Sequence, residues 1–377
     1  MMEESATSTI LDQPGKTRGI DKSDMLSHCT KTAQYCQEAM RLAMQTRLPK
    51  KEQPRHILIA GMGGSGIGGE ILRDWLRDDL SLPIEVCNDY TLPAYANKDT
   101  MVFAISYSGN TEETLSAFVD AIRRRCTIIA ITSGGLLLSF SKRLCLPYIT
   151  IPKHLPPRVA LPYTFFPLPV VLNTIGVVSD VQVEIEKTIQ TLRKISRENS
   201  PEIPVEDNKA KRLALELQGT VPIVYGFRQY GSIAHRLKTQ FNENSKVLSS
   251  YGIFPELNHN ETVGWEASED LTKNFSVILI RDRDEPAEVK HRIEMTKLHA
   301  LKKAHKILEI HATGKTKLGK MLSVLHLGDL VSVYLAILRN INPTPVRTIT
   351  TIKTEMKKKF DVAKKLEAEI EASAKEK

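Results

Sequence analysis

The sequence predicts an α/β protein of two doubly wound domains, each a mainly parallel sheet flanked by helices. Three observations carry that expectation. Strand-like apolar runs alternate with helical stretches along the chain, the pattern of a parallel sheet covered on both faces. The 377 residues exceed one ordinary core and suit two. A proline-dense stretch over residues 151–172 reads as a connection between two α/β series of similar size. The expected divisions are residues 1–20 as a disordered N-terminal extension, 21–178 and 179–356 as the two domains, and 357–377 as a charged helical tail.

Taken in order, residues 21–47 read as a leading amphipathic helix, ended by the breaker around residues 48–55. A short buried-type strand follows at 56–61, then a glycine-rich turn and a helix at 69–80. Strands come next at 83–88, 101–106 and 127–132, with a helix over 111–125 between the last two. Beyond the proline-dense stretch, helices run to Gln218. A second series then places strands at 221–226, 246–250, 274–280 and 305–311, separated by helices. The context Asn342-Pro343-Thr344-Pro345 signals entry into a closing helix. Its run from Lys357 alternates Lys with Glu and Asp, which favours an exposed helix carrying i,i+4 pairs.

Composition narrows the function classes. The chain is 41% hydrophobic and 25% charged, as in globular proteins. No uninterrupted apolar run reaches the ~18 residues of a membrane span, and the first residues lack an apolar signal core. The expectation is a cytoplasmic protein without a membrane partner. The net charge of +8 suits anionic substrates, and its dispersal along the chain argues against nucleic acid. The five cysteines form no CxxC pair and there is no HExxH, so neither a disulfide framework nor a metal site is expected.

Two turns carry the chemistry. Gly61-Met62-Gly63-Gly64-Ser65-Gly66 follows a strand and opens a helix, where backbone N–H groups can face an anion. Gly61, Gly63 and Gly66 also satisfy GxGxxG, and Asp89 near the end of the next strand could serve as a ribose carboxylate. This turn alone therefore leaves a nicotinamide or flavin cofactor and a sugar phosphate both open. The second turn, Ser106-Tyr107-Ser108-Gly109-Asn110-Thr111-Glu112-Glu113-Thr114, groups three hydroxyls, from Ser106, Ser108 and Thr111. With free N–H groups they make a neutral cradle for a phosphate dianion, and Thr111 can cap the helix. Two anion-friendly turns at the carboxyl ends of neighbouring strands favour the phosphate reading. In the second half, Glu243 closes an apolar-rich helical stretch between Asn242 and Asn244, a suitable place for a partly desolvated carboxylate. His259 stands in a short polar segment before Trp265.

The SxSGxTxET run after a strand resembles the signature of the sugar-isomerase (SIS) fold. Together with GMGGSGIGG and LPPRVALPY it resembles the bifunctional phosphoglucose/phosphomannose isomerases, over about residues 21–356. That resemblance implies two SIS domains, a homodimer, no cofactor or metal, and interconversion of glucose and mannose 6-phosphates with fructose 6-phosphate through a cis-enediol(ate). It implies that Gly64, Ser65, Ser106, Ser108 and Thr111 bind the phosphate and that Arg158 stabilises enediolate charge. It further implies Glu243 as the base, His259 as a ring-opening group supplied by the neighbouring subunit, and Lys353 at the sugar ring. A non-catalytic phosphosugar-binding protein is the alternative; such a sensor needs none of Glu243, His259 and Arg158.

Overall fold

The computed structural model describes residues 9–46 and 53–375, which divide into two compact units. One comprises residues 34–184 with 346–377; the other comprises residues 1–33 with 185–345. The expected contiguous division at residues 178 and 356 is thus replaced by an exchange of chain ends. The leading segment starts the later unit, and the closing helices complete the earlier one.

In the earlier unit the strands are β1 (His56–Ala60), β2 (Ile84–Cys87), β3 (Thr100–Ser106), β4 (Thr127–Thr132) and β5 (Tyr148–Thr150). They pair in the order β2-β1-β3-β4-β5, all parallel. β3 is buried along its whole length, because helices cover both faces of a parallel sheet. The connections include α1 (Gly64–Leu76), α2 (Glu112–Arg123) and α3 (Gly135–Arg143). Two turns of this unit require glycine. A Cβ on Gly66 would lie 2.7 Å from the Gly61 carbonyl oxygen, and one on Gly109, at φ +72°, would lie 1.8 Å from that of Gly134.

The proline-dense stretch is not a linker. It folds as helices Leu161–Phe165 and Pro167–Thr174, whose residues 161–172 are buried, and the first of them packs on α1. Pro157, Pro162, Pro167 and Pro169 sit at the start of the turn Pro157–Val159 and in the first turns of these short helices, where their missing N–H costs nothing.

In the later unit β6 (Val221–Phe227), β7 (Ser250–Phe254), β8 (Phe275–Arg281) and β9 (Lys306–His311) form a parallel sheet in the order β7-β6-β8-β9. α4 (Gly231–Gln240) links β6 to β7, and α5 (Lys317–Leu338) follows β9. By length and composition α5 could cross a membrane, but 94% of its most apolar window is buried within the protein. The strand expected at residues 246–250 begins only at Ser250. Lys246, at φ +53°, ends the preceding helical turn, and four residues of irregular chain precede the edge strand β7.

Both ends of the chain are more ordered than expected. Residues 1–8 lie outside the described residues, but Ile10–Asp12 and Pro14–Ile20 are helical. Leu11 is buried, and Asp12 accepts a 2.9 Å bond from the buried Lys211 ammonium, which anchors the segment. The expected leading helix is broken at Lys31 into Met25–Thr30 and Thr32–Met44. At the other end, α6 (Arg347–Lys359) is exposed throughout, whereas α7 (Val362–Lys375) buries Leu366 and Ile370 in the earlier unit's core. The tail is therefore not a solvated extension. Val362, Leu366 and Ile370 recur every four residues and give a helix one apolar stripe.

Candidate active site

In each sheet the chain leaves one central strand toward one side and the next toward the other. That switch point opens a crevice at the carboxyl edge. In the earlier unit it lies between β1 and β3, and both predicted anion turns border it.

The β1–α1 turn runs from Gly61 into α1, with Gly63 at φ +51° and Ser65 buried in the first helical turn. No side chain caps α1. The Pro157–Val159 turn passes directly beside it: a Cβ on Gly64 would come within 3.6 Å of the Pro157 carbonyl oxygen and 3.9 Å of the Arg158 Cα. Arg158 itself is only 3% exposed. The proline-dense stretch therefore brings the backbone of the buried Arg158 alongside the glycine turn.

The β3–α2 turn holds the hydroxyls. Ser106 Oγ and Thr111 Oγ1 are 2.8 Å apart, and Ser106 Oγ also accepts the Gly109 N–H at 3.1 Å. Ser108 is exposed and its Oγ accepts the Asn110 N–H at 3.2 Å. Thr111 stands at the N-cap position of α2 in extended conformation, yet makes no cap bond. Its hydroxyl is committed to Ser106, leaving the first-turn N–H groups without a side-chain acceptor. That arrangement leaves hydroxyl and amide donors together at a helix N-terminus, the chemistry an anion takes.

One organising residue went unread in the sequence. The Tyr107 carbonyl accepts both the Ser133 hydroxyl, at 2.7 Å, and the Ser133 N–H, at 3.0 Å. Its phenol oxygen accepts the Leu155 N–H at 2.8 Å. Tyr107 thus ties the hydroxyl turn to the β4–α3 turn and to the stretch leading to Arg158. Partial burial holds the phenol pKa up, slightly offset by the Leu155 bond. Its one signal was its place between two serines of the motif.

Lys353 reaches the same turn from α6. It lines a cavity of about 610 Å³ together with Tyr90, Asn110, Thr111, Glu112 and Lys357. Burial and the neighbouring Glu113 and Asp361 push the Glu112 carboxyl above its usual range, against the pull of Lys357 and Lys353.

Glu243 and His259 belong to the later unit. Glu243 is half-buried in a π-helical turn, Phe241–Ser245, that extends α4. Such turns are uncommon and recur at functional sites. This one is fixed from several directions. Asn244 donates to Ser332 Oγ at 2.9 Å and Ser245 to the Ser332 carbonyl at 2.6 Å. Arg339 donates to the Ser245 carbonyl at 3.1 Å, and the Lys246 ammonium to the carbonyls of Glu243 and Pro343. His259 is exposed in the helical turn Glu256–His259, anchored by the buried Leu257 and by Asn258, which donates to Thr296 Oγ1 at 2.8 Å.

These two residues are not brought together within their unit. α4 starts at the carboxyl edge of the sheet and ends at the amino edge, so Glu243 lies at the amino edge. β7 then runs back, and His259 lies beyond its carboxyl end. Along the five-residue strand the separation is on the order of 15 Å. Among the described residues no three His, Cys, Asp or Glu side chains are grouped to hold a metal ion.

Known proteins match this architecture. The model of the bacterial phospho-glucose isomerase C-terminal SIS domain matches residues 206–356, and the SIS domain model matches residues 52–138. The bifunctional phosphoglucose/phosphomannose isomerase of Caldicellulosiruptor bescii is 41% identical over 308 residues, 81% of this chain and 91% of that one. Its counterpart in Aquifex aeolicus is 39% identical over 311 residues, 80% and 90% of the two chains. The crystal structure of a glucose-6-phosphate isomerase like protein from Thermus thermophilus superimposes with a TM-score of 0.60 at 18% identity, covering 90% of this chain and 99% of that one.

Proposed function

The chain belongs to the bifunctional phosphoglucose/phosphomannose isomerase family, and from that premise we propose that it interconverts glucose 6-phosphate and mannose 6-phosphate with fructose 6-phosphate. The observation that carries the reading is the hydroxyl pair Ser106–Thr111 at the sheet's switch point. It is joined there by Ser65, Gly64 and the exposed Ser108, with the buried Arg158 beside the glycine turn. The hydroxyls and backbone N–H groups of Gly64, Ser65, Ser106, Ser108 and Thr111 hold the substrate phosphate.

Glu243 is the base. Its carboxylate takes the proton from carbon 2 of the open-chain aldose, leaving a cis-enediolate; the hydroxyl proton passes from oxygen 2 to oxygen 1, and the carboxyl returns its proton to carbon 1 to give the ketose. Arg158 stabilises the charge that develops on the enediolate oxygens, and Lys353 acts at the sugar ring. Glucose and mannose 6-phosphates differ only at carbon 2, so both yield one enediol and one base serves both. His259 assists ring opening. Its place at the edge of the sheet opposite Glu243 supports its being supplied by a second copy of the chain, in a homodimer. The chemistry needs no metal or cofactor, and the setting is the cytoplasm.

The test is a coupled assay on fructose, glucose and mannose 6-phosphates with EDTA present. Glu243→Gln is expected to lower kcat by at least about a hundredfold, the usual worth of a positioned proton carrier, while retaining sugar-phosphate binding. An unchanged rate would remove Glu243 from the mechanism. Binding without turnover in the unaltered protein would favour the sensor reading, and activity on fructose and glucose 6-phosphates alone would narrow the substrate range.

A further inference from the structure

The last helix lies past residue 356, where the match to the C-terminal family model ends. Its Leu366 and Ile370 are 5% and 2% exposed and share a core with Leu115, Phe118 and Phe140, on α2 and α3. Arg123, on α2, meets Glu369 at 2.6 Å. The preceding helix differs in every respect. α6 has no buried residue, and its Ile352, Lys353, Met356 and Lys357 face a cavity whose other wall includes Thr111. Packing of its own side chains therefore does little to fix α6.

Its C-terminal end is fixed by the turn into α7. Only Phe360 and Asp361 separate the two helices. The Phe360 N–H bonds the Met356 carbonyl at 2.8 Å, and the Asp361 carboxylate caps α7 through the Lys364 N–H at 3.1 Å. Lys353 stands six residues before the last residue of α6. At 1.5 Å per residue that is about 9 Å along a rigid helix.

We infer that α7 is a clamp that positions Lys353. By docking Leu366 and Ile370 on α2 and α3, it holds α6 so that the Lys353 ammonium stays on the cavity it shares with Thr111. α2 serves both ends of the device, since its N-terminus carries the hydroxyl turn and its body receives α7. The inference rests on the reading of Lys353 as a group acting on the sugar. α7 itself touches no substrate; its residues are positioning residues.

The test is a double-mutant cycle in the full-length protein. Leu366→Asp with Ile370→Asp undocks α7, and Lys353→Ala removes the group it positions. Undocking is expected to lower kcat/KM for fructose 6-phosphate on the order of tenfold or more, as small misplacements of a reacting group do, and to have no further effect once Lys353 is alanine. The same loss factor in both backgrounds, or no loss in either, overturns the inference and leaves the role of Lys353 standing. An unchanged kcat/KM in Lys353→Ala alone removes Lys353 from the reaction and the inference with it. Circular dichroism and thermal unfolding establish that the variants are folded. Should the aspartate pair not fold, Leu366→Ala with Ile370→Ala, which undocks the helix more gently, passes through the same cycle, and the same outcomes support or overturn the inference.

Discussion

β3 ends in Ser106 and turns through Ser108 and Thr111; β8, its counterpart in the second sheet, ends in Arg281 and turns through Asp282 and Asp284. The strand orders around the two switch points correspond strand for strand, but the chemistry is opposite. At the first edge the hydroxyls bond one another and backbone amides, and the helix N-terminus is uncapped. At the second, Arg281 bonds Glu285 at 2.6 Å, Glu294 at 2.7 Å and Glu309 at 2.8 Å. Asp282 accepts from Tyr230 at 2.5 Å and from Lys320 at 2.9 Å, and Lys320 also reaches Asp284. There the chain's own carboxylates take up the cationic and hydroxyl donors that an anionic ligand would need. The same topology thus leaves neutral donors over at one edge and pairs charges internally at the other.

Three measurements would break or sharpen that contrast. Asp282→Ala takes its acceptor from the buried Tyr230 hydroxyl and leaves Lys320 with Asp284 alone, so it should cost about 3 kcal/mol in unfolding free energy, read by denaturant titration. The kcat/KM of the folded fraction should stay near that of the unaltered enzyme. A loss of activity without a loss of stability would make the second edge a working site. Ser106→Ala should behave in reverse. Hydrogen bonds to a charged ligand are worth about 1.5–3 kcal/mol, so kcat/KM should fall roughly ten- to hundredfold, with little change in melting temperature. A variant that melts early but turns over normally would reduce the cradle to scaffolding.

The smallest expected effect is on acid stability. Glu294 is held below the usual carboxylate range by its bond from Arg281. For Glu309, burial works upward, but the Lys297 bond and the charges of Arg281 and Lys297 override it, leaving its pKa below that range too. A carboxyl whose folded pKa lies below its unfolded value stabilises the fold above the unfolded value. It loses that contribution as pH falls through the folded one. This network's share should therefore be intact at neutral pH and fade below about pH 4, whereas the hydroxyl cradle does not titrate. Replacing both glutamates with glutamine should flatten the acid limb of the melting curve; an unaltered limb would show that the pairs do not couple to folding.

The strands of both sheets other than β5 were legible because buried parallel strands read as short apolar runs between glycine, proline and polar breaks, whereas β5 spans only Tyr148–Thr150, too short for a pattern. β7 starts four residues later than its pattern suggests, for the same reason inverted. As an edge strand it alternates exposed and buried positions, and the more apolar run before it proved to be the exit from a π-helical turn. The proline-dense stretch misled because proline density signals a linker, whereas here most of the prolines sit at the starts of short helical segments. In the tail, one apolar residue per helical turn was hidden by the Lys and Glu around it. The hydroxyl and glycine turns were legible as motifs, since hydroxyls and glycines cluster in sequence there. Tyr107 and the supports of Glu243 were not, because their partners lie 26 to 87 positions away, at Ser133, Leu155 and Ser332.

The return of residues 346–377 to the unit begun by residues 34–184 bears on how the chain is made. Synthesis proceeds from the N-terminus, and domains ordinarily fold as they emerge. Here the seat for Leu366 and Ile370 on Leu115, Phe118 and Phe140 stays open until the final helix leaves the ribosome. A truncated nascent chain would present that apolar seat to solvent and to chaperones, whichever unit had already closed.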